Sequence, residues 1–289
     1  MNKLKTHSDT DVIIQKYIPI YPLCSYIEQI FYMSGYMSLD FMKELPDGKI
    51  NIIIEQVENT VNTVYGDSSL SKSYKLKKAW VTGVQSNPIL YEHKLNSSVI
   101  SIHFTAGGFY ALTGIPVTEL LHIGLDAETI LGSSFKDFYQ KIINTNDILE
   151  KFLVTENYFL QFYRNNNFDK SLVKFFDTNI EKPLDWIVQK SGYSHKHFIN
   201  LTKTNTGFSP KFLQRITRFQ NVLKYINANK NEINWASIVY RYGFYDQAHF
   251  IKEFLFFSDI TPSQYRKAQL LPIQEDNSTL SVILQYPRL

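Results

Sequence analysis

Two stretches in the C-terminal third of the chain share one order of apolar and polar positions. In each, an apolar helical face ends at a glycine, a short turn follows, and a residue with a capping side chain begins a second helix. The first stretch runs from Ser191 to Phe198 and the second from Gly243 to Phe250. This order predicts two helix-turn-helix units.

The first unit shows which residues are expected to form the two helices and the turn between them. Leu184, Ile187 and Val188 fall on one face of a helix. Gly192 allows the positive φ of a helix exit, and the Ser194 hydroxyl can accept a hydrogen bond from an unpaired amide of the next helix. In that next helix Phe198 points inward, and four side chains point outward as a candidate DNA-reading face: Lys196, Ile199, Asn200 and Lys203.

A long helix is predicted to connect the two units. It starts at Pro210 and ends near Ala228, which is about 27 Å at 1.5 Å per residue. Matching positions of the two units are 51 residues apart before the turn and 52 after it, so the second turn is predicted to be one residue longer. An in-phase repeat with matched glycine, aromatic and proline positions favours a duplicated unit.

The N-terminal half has a different period. After an extended entry with one or two strands between 11 and 36, short β-branched and aromatic runs recur about every ten residues, with turn residues between them. The predicted strands cover 49–55, 60–65, 79–84, 89–94 and 99–104. This pattern is typical of an antiparallel sandwich or a cupin-like barrel.

A helical period begins after Ala106-Gly107-Gly108. Helices are predicted at 116–121, 134–143, 146–164 and 169–177. They either pack on the β-rich domain, which is the favoured alternative, or form a dimer interface. The fold class is therefore α+β. The predicted domains are 1–165, a sensor or dimerisation domain, and 166–268, an all-α DNA-binding domain, followed by a tail at 269–289 with one apolar strand.

The charge distribution supports a polyanionic partner for the second domain. Residues 182–267 hold 13 Lys and Arg against 5 Asp and Glu, whereas the net charge of the whole chain is only +3. Lysine and arginine side chains on phosphates release condensed counterions and steer encounter. Solvated helix faces also carry such an excess, so charge alone does not decide.

Several other functions find little support. The sequence has no apolar run long enough for a membrane span, no apolar core typical of a signal peptide, and one cysteine, Cys24, which fits a cytoplasmic protein. No catalytic residue, metal ligand or cofactor is predicted. His195 and His197 diverge at helical spacing, and a metal site at His93 and His103 is conceivable but less favoured than structural histidines.

The two units resemble the DNA-binding domain of the AraC family of bacterial transcription regulators. The resemblance rests on Ser191-Gly192-Tyr193-Ser194, Gly207-Phe208-Ser209-Pro210, Arg241 to Phe250 and Ile260 to Arg266. Upstream, Leu45-Pro46-Asp47-Gly48 and Gly83-Val84-Gln85 are similar to one subgroup with a poorly characterised N-terminal domain.

The resemblance implies a bacterial, sequence-specific DNA-binding regulator that acts as an activator and is not an enzyme. It implies that Ala248, His249 and Lys252 contact bases and that Gln247 lies near the DNA backbone. Phosphate contacts by Arg215 and Arg218 are left open. Double-stranded DNA is the expected partner; a small-molecule effector, a second copy in a homodimer and RNA polymerase, for which Trp186 is a candidate contact, are further partners.

Two alternatives remain. The chain is also compatible with a cupin-like enzyme anchored to nucleic acid by its basic region. A protein-interaction module with a degenerate helix-turn-helix is the other, because Thr202, Ile199 and Ala248 are all less polar or smaller than expected.

Overall fold

The computed structural model describes residues 12–35, 41–57, 61–66, 70–92, 97–121, 124–165, 171–229, 233–267, 269–270 and 282–284. Its strands form two six-stranded sheets with antiparallel pairing. The first has the order β1-β2-β9-β4-β7-β10 and the second β11-β12-β3-β8-β5-β6. The strands are β1 Val12–Tyr17, β2 Ile27–Gly35, β3 Phe41–Glu44, β4 Asn51–Glu55, β5 Val61–Tyr65, β6 Ser73–Lys77, β7 Ala79–Thr82, β8 Ile89–Glu92, β9 Ser97–Phe104, β10 Leu125–Asp126, β11 Gln269–Leu270 and β12 Val282–Leu284.

The alternation along β4 shows how the first sheet is packed. Ile52 and Ile54 are fully buried in the main core, which the helices of this domain cover. Ile53 points the other way and packs with Val64 and Ile89 of the second sheet. The first sheet is therefore sandwiched between a helical layer and the second sheet.

Four helices of the N-terminal domain form that helical layer: α1 Gly108–Thr113, α2 Ala127–Leu131, α3 Ser134–Asn144 and α4 Ile148–Asn165, with a 3-10 helix at Val117–Glu119 between the first two. Aromatic rings fill the space under them. Phe138 stacks on Tyr158 with ring centroids 4.2 Å apart, and Phe159 meets Phe104 edge to face at 5.4 Å. The helices thus pack on the β domain, which was the favoured alternative.

The C-terminal domain consists of seven helices among the described residues: α5 Ser171–Asn179, α6 Leu184–Ser191, α7 His195–Thr206, α8 Pro210–Ala228, α9 Trp235–Arg241, α10 Gln247–Ser258 and α11 Pro262–Lys267. Phe198 of α7 is buried with Phe176 and Ile187 in one core. Phe219 of α8 is buried with Phe250 and Phe254 of α10 in another. Each helix-turn-helix unit therefore has its own core, and α8 joins them.

The two domains are in direct contact. The turn after β3 carries Leu45 into the core of the second unit, and the Pro46 carbonyl accepts a hydrogen bond from Gln220 Nε2 at 2.7 Å. Lys43, which is fully buried, lies 3.4 Å from the Asp259 carboxylate at the end of α10. The tail strand β12 pairs with β3, so the chain returns to the N-terminal domain after its last helix.

Most predicted elements are present, but some short elements of the structure were not predicted. The strands β3 and β6 were not predicted, because Lys43 and Glu44 and the lysines of β6 hide the period of two in very short segments. Gly107 begins α1 with φ +77°, as the predicted bend before a helix requires. The predicted linker start at 165–167 falls largely outside the described residues, as does His93.

Candidate nucleic-acid interface

The turn of the first unit is built by its glycine and its cap. Gly192 ends α6 with φ +73°, and a Cβ there would meet open space. Ser194 Oγ then accepts a hydrogen bond from the backbone N–H of His197 at 3.3 Å. Because a cap satisfies one orphan donor of the first turn, α7 starts at a defined residue. This confirms the predicted roles of Gly192 and Ser194.

The turn of the second unit has the same parts with one more residue. Gly243 has φ +67°, and Asp246 Oδ1 accepts from the backbone N–H of His249 at 2.7 Å. One residue lies between Gly192 and its cap Ser194, and two lie between Gly243 and its cap Asp246, as the repeat offset predicted. The helices α7 and α10 are therefore equivalent recognition helices.

The orientation of His249 is fixed by its neighbours. The backbone N–H of Tyr245 donates to His249 Nδ1 at 3.2 Å, and the ring meets Phe244 edge to face at 5.7 Å. A neutral imidazole that accepts at Nδ1 carries its proton on Nε2. His249 accordingly offers a hydrogen-bond donor at Nε2.

The predicted contact residues on both recognition helices lie at the protein surface. Lys196, Asn200 and Lys203 are exposed on α7, and Ile199 is half-buried. On α10, Gln247, Ala248 and Lys252 are exposed, and His249 is half-buried. Each helix thus presents a face that other described residues leave uncovered, although contact with DNA remains a prediction for every one of these side chains.

Arg215 and Arg218 on α8 have protein partners. Arg215 makes two hydrogen bonds to the Glu253 carboxylate, at 2.9 and 2.8 Å, and stacks over three phenylalanine rings, of which Phe256 is nearest at 4.9 Å. Arg218 lies 5.3 Å over the Phe244 ring. These contacts tie α8 to the second unit. The phosphate contacts of both arginines remain predictions.

The opposite side of α7 faces the N-terminal domain. Thr202, Asn205 and Thr206 are buried, and α1 and the 3-10 helix at Val117–Glu119 lie against them. The two threonine hydroxyls donate to backbone carbonyls one helical turn back at 2.8 Å, which satisfies them inside the helix. The first recognition helix therefore contacts the N-terminal domain with one side and leaves the other exposed.

The structure offers no support for a metal site within the residues it describes, where no group of three or more His, Cys, Asp or Glu side chains could hold an ion. His103 is buried, its Nε2 lies 2.6 Å from the Ser101 hydroxyl, and burial lowers its pKa to about 4. This fits the predicted structural histidine. Over the same residues, no helix combines the length and apolarity needed to cross a membrane.

Comparison with known domains decides what the C-terminal part is. Residues 187–268 match a family described as a helix-turn-helix domain, of the AraC type, and this range contains both capped turns and both recognition helices. The C-terminal part of the chain is an AraC-type helix-turn-helix domain. The N-terminal part of the chain matches a second family, a domain of unknown function, over residues 15–125. No curated protein matches the chain.

Solved structures of ToxT from Vibrio cholerae are similar to this chain over most of its length. One ToxT structure is 12% identical, with a TM-score of 0.44, and covers 89% of this chain and 97% of its own. A ToxT structure bound to (E)-4-(8-methylnaphthalen-1-yl)but-3-enoic acid has 12% identity, a TM-score of 0.45 and coverage of 90% and 99%. ToxT with a bound unsaturated fatty acid has 12% identity, a TM-score of 0.42 and coverage of 91% and 97%.

Sequence reasoning missed the residues that join the domains. Lys43, Leu45 and Gln220 carry no signature of contact partners more than 170 residues away. The sequence also gives no signal for Leu45, because single apolar residues beside turns are common on protein surfaces.

Proposed function

We propose that this regulator binds duplex DNA by placing α7 and α10 in successive segments of the major groove on one side of the helix. The observation that carries the proposal is the pair of capped recognition helices whose uncovered faces hold the predicted contact residues. Lys196 and Lys203 would approach phosphates, and Asn200, His249 and Lys252 supply groups that can hydrogen-bond to base edges. The excess of basic residues in 182–267 supports the same role.

The N-terminal domain would act as the regulatory part, sensing a small molecule, forming a homodimer, or both. Its contact with the buried side of α7 and with α8 provides a direct route from this domain to the DNA-binding surface. For a homodimer, exposed Leu149 and Leu153, one turn apart on α4, are the natural surface. Trp186, 37% exposed on α6, stays the candidate contact for RNA polymerase. The same proposal includes that the protein acts in the cytoplasm and that it has no enzymatic activity.

The DNA-contact proposal is tested by two lysine substitutions. A duplex is first selected from a random pool with the full-length protein, and affinities are then measured at several salt concentrations. We expect Lys196→Ala and Lys252→Ala each to weaken binding by roughly 3- to 30-fold and to lower the slope of log affinity against log salt by about 1, because each removes one positive charge from the surface proposed to meet the DNA.

Lys136→Ala is the matched control, since Lys136 is an exposed lysine on α3, outside the recognition helices. Its affinity and salt slope should equal those of the unmodified protein. If both recognition-helix variants also behave in this way, the site assignment is wrong. If no duplex is retained even at low salt, the protein-interaction alternative is favoured.

A further inference from the structure

A polar cavity lies in the N-terminal domain between its two sheets. Its lining comes from the end of β3 and the following turn, from β4 and from the end of β7, and includes Glu44, Asp47, Asn51, Thr82 and Gln85. It holds about 270 Å³ of space not occupied by atoms, part of it continuous with solvent. Only about 20 Å³ of this space admits the centre of a water-sized group, so the cavity can take one small polar group, such as an ammonium group, and no bulky ligand.

The cavity has an excess of negative charge. Glu44 and Asp47 both line it, and burial raises the pKa of each carboxyl, that of Glu44 to about 7. The one cation in its lining, Lys49, pairs with Glu28 at 2.6 Å and also lowers the pKa of Asp47 against the effect of burial, so a single positive charge faces the three carboxyl groups of Glu28, Glu44 and Asp47. A buried carboxylate without a compensating charge is costly, and a cationic occupant would remove that cost.

Asn51 provides an independent sign of an occupant. Its side chain is only 3% exposed and lines the cavity, where its Nδ2 donates to Glu44 Oε1 at 3.3 Å. Its Oδ1 is buried and has no hydrogen-bond partner among the residues that the structure describes. Since buried acceptors are normally satisfied, this oxygen calls for a donor from a molecule in the cavity.

We propose that this cavity binds the protonated nitrogen group of a small organic amine. The ammonium N–H groups would donate to Glu44, Asp47 and Asn51 Oδ1, and its charge would offset the two carboxylates. A water molecule could satisfy Asn51 but would leave the charges uncompensated. Only the effect of a bound amine on DNA binding rests on the proposed sensor role. The amine site itself rests on the cavity and its lining residues.

The cavity is connected to the DNA-binding domain by the turn that forms one of its walls. In that turn Leu45 packs in the core of the second unit, and the Pro46 carbonyl accepts from Gln220 of α8. A Cβ added at Gly48 would lie 3.4 Å from Ile216 and Leu213 of the same helix. A ligand held by Glu44 and Asp47 therefore touches residues on both sides of the segment that contacts α8.

The test uses the full-length protein and thermal unfolding at pH 8, where Glu44 is largely ionised. Methylammonium, ethanolammonium and putrescine are compared with tetramethylammonium, which has the charge but no N–H donor, at constant ionic strength. We expect at least one of the three amines to raise the Tm by about 2–4 °C at saturating concentration, and tetramethylammonium to leave it unchanged.

Glu44→Gln and Asp47→Asn should each abolish the shift, whereas Glu128→Gln, at an exposed carboxyl on α2, should keep it. No shift with any of the three amines, an equal shift with tetramethylammonium, or a shift that survives both cavity substitutions overturns the proposal. Binding to the selected duplex is measured on the same samples. Intact DNA binding without an amine response rejects only the ligand class, and loss of DNA binding by the unmodified protein rejects the proposed function.

Discussion

At the scale of single residues, Glu44 is the most unusual group of the N-terminal domain. It ends β3, accepts a hydrogen bond from Asn51, and lies close enough to Asp47 for the second negative charge to add to the effect of burial. Its pKa is raised to about 7, from a usual value of 4.5. The carboxyl therefore takes up a proton on folding at neutral and mildly acidic pH.

The sign of the resulting pH dependence follows directly. Between pH 4.5 and 7 the unfolded chain holds Glu44 ionised while the folded protein keeps it protonated, so this group costs the folded state more as the pH rises through that window. Glu44→Gln removes the ionisation. The unfolding free energy of the variant minus that of the unmodified protein should therefore increase from pH 5 to pH 8, by on the order of 3 kcal/mol.

Denaturant unfolding at pH 5, 6, 7 and 8 measures this difference, and Glu128→Gln is the control. The lowered pKa of His103 acts in the opposite direction, with stability lost as the pH falls from 6.5 towards 4, but it is common to both proteins and cancels in the subtraction. A difference that is independent of pH, or that decreases with pH, contradicts the account of Glu44.

At the scale of elements, the sequence predicts helices and their caps much better than strands and contacts between domains. The helix α8 was predicted from Pro210 to about Ala228 because its apolar period is long and Ser209-Pro210 marks its start, and the structure gives these bounds. The positions and the outward faces of the two recognition helices were also predictable from the sequence. The strand β3 was not, because four residues with a buried lysine show no clear period, and its role depends on β8 and β12, which are distant in sequence.

The glycines that end helices also differ in a way that sequence alone does not reveal. Gly192 and Gly207 both have positive φ, +73° and +77°, at the ends of α6 and α7. A Cβ at Gly192 meets open space, whereas one at Gly207 would collide with Val84 and lie 3.1 Å from Val117, both in the N-terminal domain. Only Gly207 therefore permits the close approach of the domains.

Alanine substitutions separate these two effects. Gly192→Ala should reduce the unfolding free energy by about 1 kcal/mol, the cost of a side chain at positive φ. Gly207→Ala should reduce the unfolding free energy by at least about 1 kcal/mol more than Gly192→Ala, because the new methyl group must displace Val84 or separate the two domains. Denaturant unfolding gives the free energies, and hydrogen exchange of α1 shows whether the domain contact has loosened. Equal losses for both variants, with unchanged exchange, would count against the described interface.

At the scale of the whole molecule, the two domains and the tail form one connected unit. Lys43 and Asp259, Pro46 and Gln220, and the pairing of β12 with β3 all join the N-terminal domain to residues beyond α7. Burial lowers the pKa of Lys43, and the nearby Asp259 carboxylate acts in the opposite direction. None of these contacts covers the outward faces of α7 and α10, so the proposed DNA-binding surface is available while the domains stay docked.

The central claim is that both recognition helices contact DNA at the same time. Hydroxyl-radical footprinting of the full-length protein on its selected duplex tests it most directly, because protection reports each groove segment separately. The account predicts two protected segments on one side of the duplex, with centres about 10 base pairs apart. At reduced occupancy, the Lys196→Ala variant should lose one of these segments and the Lys252→Ala variant the other. A single protected segment, the same in both variants, would contradict it.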